Sequence, residues 1–269
     1  MLAKKMKRNG TKIAYVYHEP SVPWVKVWGK LTVSNIARLA VSRVFTHRTL
    51  GHADLVILPS KEAWCSYGNG EIKYNKNVMQ IPLVFDDGYL QIDRQQRVKF
   101  SYVGTISRAH AFDQFTAFMN YALERELGIE FLIASRHEVP DDAIPGQYRS
   151  SVELRCGRAL TSKEINECYA QSICVWNVYR HSTQSGVMAN AFMCGAPVIA
   201  SRKGAFLDFV QDGYNGKFAD EGDFAQIAGA FEEIARRVEL FSENSRETFL
   251  RNFHYKAQLP RIETILALS

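Results

Sequence analysis

Short apolar runs alternate along the chain with segments in which apolar residues recur at helical spacing. Runs such as 54–58, 99–103 and 129–134 have the length and composition of buried strands. Segments 32–50 and 112–127 place an apolar residue every third or fourth position, which predicts amphipathic helices. Alternation of this kind is typical of a parallel α/β sheet with helices on both faces.

The same pattern predicts most of the remaining elements. Further strands are expected at 13–17, 78–83, 151–155, 173–178 and 197–200, and further helices at 161–170, 186–193, 224–241 and 245–268. Thr161 with Glu164 predicts a capping box at one helix start. We expect Pro260 to break the last helix or to open its final part.

A polar segment at 86–97 separates two series of strands and helices and predicts a linker. We therefore expect one domain over 1–92, a second over 93–248, and a C-terminal helix over 249–269 that packs back toward the first domain. Ligands of parallel sheets bind beyond the carboxyl ends of the strands. Candidate chemistry should follow Val103, Val178 and Ala200.

Composition is that of a soluble, well-packed protein, with 46% hydrophobic and 23% charged residues. The cysteines are scattered, which favours free thiols in a reducing compartment over disulfides or a zinc site: Cys65, Cys156, Cys168, Cys174 and Cys194. Segment 1–12 is basic but lacks the apolar core of a secretory signal, and no stretch is apolar enough to span a bilayer. These features predict a cytoplasmic protein.

A net charge of +5 leaves two interpretations of the basic residues open. They cluster in two groups: Lys4, Lys5, Lys7, Arg8 and Lys12, then Lys26, Lys30, Arg38, Arg43 and Arg48. The groups form either an ordinary solvated surface or a contact with anionic lipid head groups or a phosphate-bearing acceptor, which would make the protein peripheral at the inner face of the membrane. Nucleic acid is not an expected partner, because aromatic-plus-basic modules are missing from the sequence.

Segment 181–200 holds the most informative pattern. A polar loop leads into Ser185 and Gly186, a short helix follows, and a Gly-Ala-Pro turn opens the next strand. The first-turn amides of a helix form an anion site that can hold a diphosphate without a basic side chain. Gly186 would let a phosphate approach the main chain closely. A capped turn without a ligand explains the same residues.

Several segments in this half resemble, in order and with similar spacing, the nucleotide-sugar half of family-4-like retaining glycosyltransferases, the glycosyl transferases group 1. The similar segments are 190–200, 204–216, Gly157 with the helix at 161–169, and 253–255, within a region from Phe100 to Leu268. The resemblance implies a GT-B fold of two Rossmann-like domains with parallel sheets, the N-terminal one incomplete. It also implies an acceptor-side first domain and a nucleotide-sugar-binding second domain.

The resemblance assigns the donor site to segment 181–190. It implies that Ser185, Gly186 and Val187 hold the diphosphate and that Asn190 holds the ribose. The donor sugar would lie near His181 to Gln184.

The sequence differs from the family at two glutamate positions, and this difference weakens the part of the resemblance that concerns catalysis. The family's first glutamate falls on Ser182 and its second on Asn190, so any carboxylate beside the reacting sugar is lost here. An asparagine can still bond ribose hydroxyls. Ser182 remains a candidate catalytic residue by position, and Gln184 or His181 is left open as a substitute.

The loop after Gly104 also differs from the family pattern. The family has an arginine after this glycine and a lysine farther on, both of which grip the diphosphate. Here Thr105 follows, and Arg108 and His110 are displaced cations or loop residues. We take Gly104, Thr105, Arg108 and His110 as candidate donor contacts, with an ordinary surface role as the alternative for the last two.

The first domain carries a fainter resemblance. Segment 17–20 is similar to the acceptor-domain loop in which a histidine faces the cleft, which makes His18 a catalytic candidate or else a structural histidine. Segments 54–60 and 81–82 are similar to later strands of that domain. The chain begins partway through it, so exposed strands would need a cover. A second chain that supplies the missing strands, a truncated relic and a compact variant all stay open.

We expect a hexosyltransferase-like, retaining glycosyltransferase that moves a sugar from a nucleotide-diphosphate donor to a glycan or lipid-linked acceptor in cell-surface polysaccharide assembly. The alternative is a non-catalytic nucleotide-sugar-binding subunit or a relic of a split enzyme. A GT-B epimerase is a third hypothesis, disfavoured by the missing carboxylates. We predict no metal site and no cofactor beyond the donor.

Overall fold

The structure is a computed structural model that describes residues 10–18, 32–70, 77–89 and 96–267. The chain divides into two compact units. The smaller unit comprises Met1–Leu83 and Gln258–Ser269, and the larger comprises Val84–Ala257.

The smaller unit contains a parallel sheet of three described strands in the order β1-β2-β3. The strands are β1 (Ala14–Val16), β2 (Leu55–Leu58) and β3 (Val78–Gln80), with helices α1 (Val33–Leu50) after β1 and α2 (Lys61–Gly70) after β2. Leu50, Val56 and Leu58 lie at the centre of its small core. The sequence pattern did not predict α2.

The larger unit contains a six-stranded parallel sheet. Its strands are β4 (Lys99–Val103), β5 (Glu130–Ala134), β6 (Val152–Arg155), β7 (Ser172–Asn177), β8 (Val198–Ala200) and β9 (Gly216–Phe218). Its helices are α3 (Phe112–Glu124), α4 (Ser162–Ala170), α5 (Gly186–Met193), α6 (Phe206–Phe209), α7 (Phe224–Arg236) and α8 (Val238–Asn252), with a 3-10 turn at Gly146–Ser151. A last helix, α9, spans Tyr255–Ala267.

The strand order of the larger sheet is β6-β5-β4-β7-β8-β9. Phe100 of β4 and Trp176 of β7 are fully buried and contact each other, as expected of a parallel sheet covered on both faces. The order reverses between β4 and β7, and the crevice beyond their carboxyl ends is where doubly wound sheets bind ligands. The predicted α/β class with parallel sheets is confirmed.

The capping box at the start of α4 is confirmed, since Thr161 and Glu164 each bond the other's backbone amide. The single helix predicted over 224–241 is wrong. Arg237 leaves the helical region, with φ −133° and ψ 34°, and separates α7 from α8. The break lets each helix bury its own apolar face, which includes Ile234 on α7 and Phe241 on α8.

The predicted break at Pro260 is also wrong, because Pro260 lies inside α9. The helices separate earlier, at Phe253 and His254. Phe85 donates its N–H to the Phe253 carbonyl at 2.8 Å and accepts from the N–H of Tyr255 at 3.1 Å. These long-range backbone bonds replace helical ones and end α8. Pro260 is the sixth residue of α9, and the helix continues past it although proline lacks the N–H that would bond the Lys256 carbonyl.

The loops after β7 and β8 touch through the main chain. Gly204 has φ +55°, and a Cβ atom there would lie 1.8 Å from the Ser182 carbonyl oxygen. The next residue, Ala205, donates its N–H to that same oxygen at 3.0 Å. Only glycine permits this approach, which holds the loop that leads into α5.

We predict that Gly204→Ala lowers the free energy of unfolding of the larger unit by about 3 kcal/mol. Alanine is strained in the left-handed backbone conformation, and its Cβ atom would clash with the Ser182 carbonyl oxygen. Gly213→Ala is the matched control, since Gly213 has φ +77° but open space around its Cβ position. The control should cost about 1 kcal/mol. Urea unfolding followed by circular dichroism measures both, and equal losses would contradict the contact.

Candidate functional site

The crevice at the strand-order reversal is bounded by the turn after β4 and the first turn of α5. Gly104 ends β4 with φ +129°, and a Cβ atom there would lie 3.2 Å from Cγ2 of Val187. Its N–H donates to the Ala134 carbonyl at 2.9 Å, which fixes the turn to β5. The structure therefore brings together Gly104 and Val187, two of the predicted donor contacts.

The first turn of α5 presents main-chain donors. Ser185 is the N-cap: its hydroxyl accepts from the Met188 N–H at 3.1 Å and donates to Oδ1 of Asn177 at 3.2 Å. The N–H groups of Gly186 and Val187 donate to no residue within the described ranges. A Cβ atom on Gly186 would meet open space. Two unpaired amides at a helix start beside open space have the geometry of an anion site.

Asn190 lies one helical turn beyond Gly186, so both positions share a face of α5. Its side chain is half-buried, and its amide makes no hydrogen bond with the described part of the chain. An amide that offers both a donor and an acceptor can bind neighbouring hydroxyl groups.

The loop before α5 is mostly buried. Ser182, Gln184 and Ser185 are buried, and His181 is half-buried. Over the described residues, Nε2 of His181 and Oγ of Ser182 are buried without a hydrogen-bond partner. Because such groups cost free energy when they stay unpaired, they are suited to a bound hydroxyl or water.

The loop after Gly104 is organised by its own backbone. The Thr105 carbonyl accepts from the Tyr102 hydroxyl at 2.7 Å and lies 3.0 Å from Nδ1 of His110. The His110 ring stacks on Tyr179 with 4.5 Å between centroids. To donate to a carbonyl, Nδ1 must carry the proton. His110 thus supports the loop, and Thr105 and Arg108 are exposed on it.

Arg180, which sequence reasoning missed, connects this loop to its neighbours. Its guanidinium donates to both carboxylate oxygens of Asp113 at 2.8 and 2.7 Å and to the Arg108 carbonyl at 3.0 Å. It also bonds Glu221 at 2.6 Å. The bond from Arg180 holds the pKa of Asp113 below its usual value, and the carboxylates raise the pKa of Arg180. Its position three residues after the end of β7, where ligands of parallel sheets bind, was the sequence signal that could have identified it.

The charge of Arg108 is used differently. Its guanidinium is exposed and forms no ion pair or hydrogen bond with the residues that the structure describes. The guanidinium of Arg180 is paired with the carboxylates of Asp113 and Glu221, whereas the guanidinium of Arg108 faces solvent. Arg108 is therefore the cation of this loop that is suited to an anionic ligand.

The remaining predicted features lie elsewhere. His18 follows β1 in the smaller unit, where it is exposed, and its catalytic role stays a prediction. Positions 19 and 20 of segment 17–20 and most of the basic residues of the two groups lie outside the described residues; these basic residues are Lys4, Lys5, Lys7, Arg8, Lys26 and Lys30.

Metal ligands and long apolar helices are two further features of the described residues that bear on function. No group of three or more His, Cys, Asp or Glu in those residues is placed to hold a metal ion. None of the helices described there combines the length and the apolar character needed to cross a membrane.

Solved structures with the same fold are GT-B glycosyltransferases. Sucrose-phosphate synthase from Thermosynechococcus elongatus superposes with a TM-score of 0.73 at 17% identity, over 99% of this chain and 71% of that one. Anabaena Alr3699/HepE, solved in complex with UDP-glucose, superposes with a TM-score of 0.69 at 17% identity, over 99% of this chain and 75% of HepE. TarM from S. aureus superposes with a TM-score of 0.70 at 15% identity. That superposition covers 94% of this chain and 50% of TarM.

A search of curated protein sequences found no match. The family model for glycosyl transferases group 1 matches residues 97–237, which is more than half of the chain. That region contains the strand-order reversal, the Gly104 turn and the first turn of α5. The chain belongs to the glycosyl transferases group 1 family and has the GT-B fold.

Proposed function

We propose that the protein transfers a sugar from a nucleotide-diphosphate sugar to a glycan or lipid-linked acceptor in cell-surface polysaccharide assembly. Family membership supports a glycosyltransferase. The observation that carries the donor site is the pair of unpaired amides at Gly186 and Val187, opposite the Gly104 turn at the strand-order reversal. We place the reaction in the cytoplasm and propose that the donor is the only small molecule it requires.

The diphosphate would accept from these two amides, with the dipole of α5 behind them. Arg108, exposed on the facing loop, would add a full positive charge. As the bond to the sugar breaks, negative charge grows on the departing diphosphate. Donors that are already in place stabilise this charge without reorganisation, which lowers the barrier.

The ribose would lie on Asn190, which shares a helix face with Gly186. The amide of Asn190 can donate to one hydroxyl and accept from the other. Because HepE was solved with UDP-glucose, UDP is the first nucleotide to test.

The sugar would contact the loop of His181, Ser182 and Gln184, where the orphaned Nε2 and Oγ atoms can bond hydroxyl groups. Segment 181–207 contains no Asp or Glu. It therefore offers no carboxylate that could form a covalent glycosyl intermediate. For a retaining reaction, the acceptor would attack the face that the diphosphate leaves. His18 keeps its proposed role of polarising donor or acceptor.

The same carboxylate-free segment favours a second candidate, a non-catalytic subunit that binds the nucleotide sugar for another chain. Titration calorimetry with UDP, GDP and ADP, followed by a donor-hydrolysis screen across nucleotide sugars, separates the candidates. Binding with turnover supports the enzyme. Binding without turnover in the isolated chain, and turnover after a co-purified partner is added, supports the subunit. If no nucleotide binds, the donor site itself is wrong.

We predict that Gly186→Ala raises the Kd for UDP at least ten-fold, because its methyl group would occupy the open space before the amides. Gly186 does not have a positive φ, so the fold should tolerate alanine. Gly229→Ala is the matched control, a helical glycine on α7 that also faces open space. The control should leave Kd unchanged and raise stability slightly. Unchanged UDP binding in Gly186→Ala would contradict the amide site.

We predict that Asn190→Ala weakens UDP but not inorganic pyrophosphate, because pyrophosphate has no ribose. Loss of two hydrogen bonds should raise the Kd for UDP about ten-fold. Calorimetry with both ligands measures the difference, and Gly186→Ala, which should weaken both, is the comparison. An equal loss for both ligands would remove the ribose assignment.

We predict that Arg108→Gln raises the Kd for UDP about ten- to a hundred-fold at low salt, since it removes a charge-assisted bond. The effect should shrink as salt rises, because exposed charges are screened. Lys163→Gln, which removes an exposed charge on α4, is the control. A salt-independent loss, or no loss, would show that Arg108 does not contact the diphosphate.

A further inference from the structure

The turn after β8 exposes two neighbouring cations at the carboxyl edge of the larger sheet. Arg202 and Lys203 are exposed, and neither forms an ion pair or a side-chain hydrogen bond with the residues that the structure describes. The guanidinium of Arg202 lies over the ring of Phe218, 4.5 Å from its centroid. A stacked guanidinium keeps the N–H groups at its edge available for an anion. We call Arg202 and Lys203 the β8 cation pair.

This turn is joined on both sides to the loop to which we assign the donor sugar. Before the pair, Ser201 donates its hydroxyl to the Tyr179 carbonyl at 2.6 Å. After the pair, Ala205 donates its N–H to the Ser182 carbonyl at 3.0 Å, and Gly204 packs directly on that oxygen. The cation pair is therefore held beside the loop after β7, one or two residues from the contact with Ser182.

The neighbouring sequence supplies no acid to these cations. Segment 168–207 contains three Lys and Arg residues and no Asp or Glu. The third cation, Arg180, is already paired with Asp113 and Glu221. Ser182 stands where the resemblance places a glutamate, so the loop beside the sugar carries no negative charge. A cleft with unpaired positive charge and no carboxylate attracts an anionic substrate.

We propose that the donor sugar carries a carboxylate, as a hexuronic acid does, and that the β8 cation pair selects it over a neutral sugar. The inference rests on the proposed function and names the class of sugar that it transfers. A sugar carboxylate can accept two bonds from a guanidinium, and the neighbouring ammonium adds a second positive charge. A glutamate in place of Ser182 would repel such a sugar, so the neutral residue found there agrees with the proposal.

The test is titration calorimetry of the full chain with UDP, UDP-glucose and UDP-glucuronate at low salt. UDP-glucuronate should bind about ten-fold more tightly than UDP-glucose, because the two differ only in the carboxylate at C6. The preference should shrink as salt rises, since exposed charges are screened. UDP-galacturonate and UDP-galactose repeat the comparison for the opposite configuration at C4.

Variants of the cation pair connect the preference to these side chains. Arg202→Gln and Lys203→Gln should each reduce the preference about three-fold or more, and the double variant should abolish it, because the attracting charge is lost. Lys163→Gln, which removes an exposed charge on α4, is the matched control and should leave the preference unchanged. Ser182→Glu should reverse the preference, with circular dichroism and UDP titration as checks on the fold and the diphosphate site.

The outcomes separate this inference from the proposed function. If UDP binds but each uronate binds no more tightly than its neutral sugar, the inference is overturned and the donor site stands. A preference that persists in the double variant would also overturn it. If no nucleotide or nucleotide sugar binds, the donor site is wrong and both proposals fail.

Discussion

The proposed donor site depends on how α5 begins. A helix start leaves amides without intrahelical partners, and proteins usually satisfy them with side chains. Here the hydroxyl of Ser185 satisfies one amide, that of Met188, and is itself held by Asn177 at the end of β7. The amides of Gly186 and Val187 remain unpaired by the described residues. These two donors lie at the start of the helix that follows β7, one of the two strands between which the strand order reverses.

Charge in the surrounding loops is divided between structure and binding. Arg180 forms ion pairs with Asp113 and Glu221, and these bonds connect three loops at the carboxyl edge of the sheet. Arg108 is left exposed on one of those loops. An ion pair that is already satisfied gains little from a new anion, whereas an exposed guanidinium can still bind one bidentately. The two arginines therefore have different tasks despite their closeness.

Membership of the group 1 family establishes the kind of protein, and the departures from the family determine what must be tested. Ser182 and Asn190 replace acids by neutral groups, and segment 181–207 has no carboxylate at all. The proposed donor binding relies on main-chain amides, which such changes would leave in place. Catalysis relies on specific side chains and is the property that they put at risk.

The sequence by itself determined the parallel α/β class and the α4 capping box, because apolar periodicity and capping residues are local signals. Tertiary structure decided the rest. It ended α8 at Phe253 through bonds to Phe85, and it required glycine at Gly204 because the Ser182 carbonyl lies there. It also assigned Arg180 to a structural role. Each of these outcomes joins residues far apart in the chain, and no local pattern records which partner a backbone group or charge will meet.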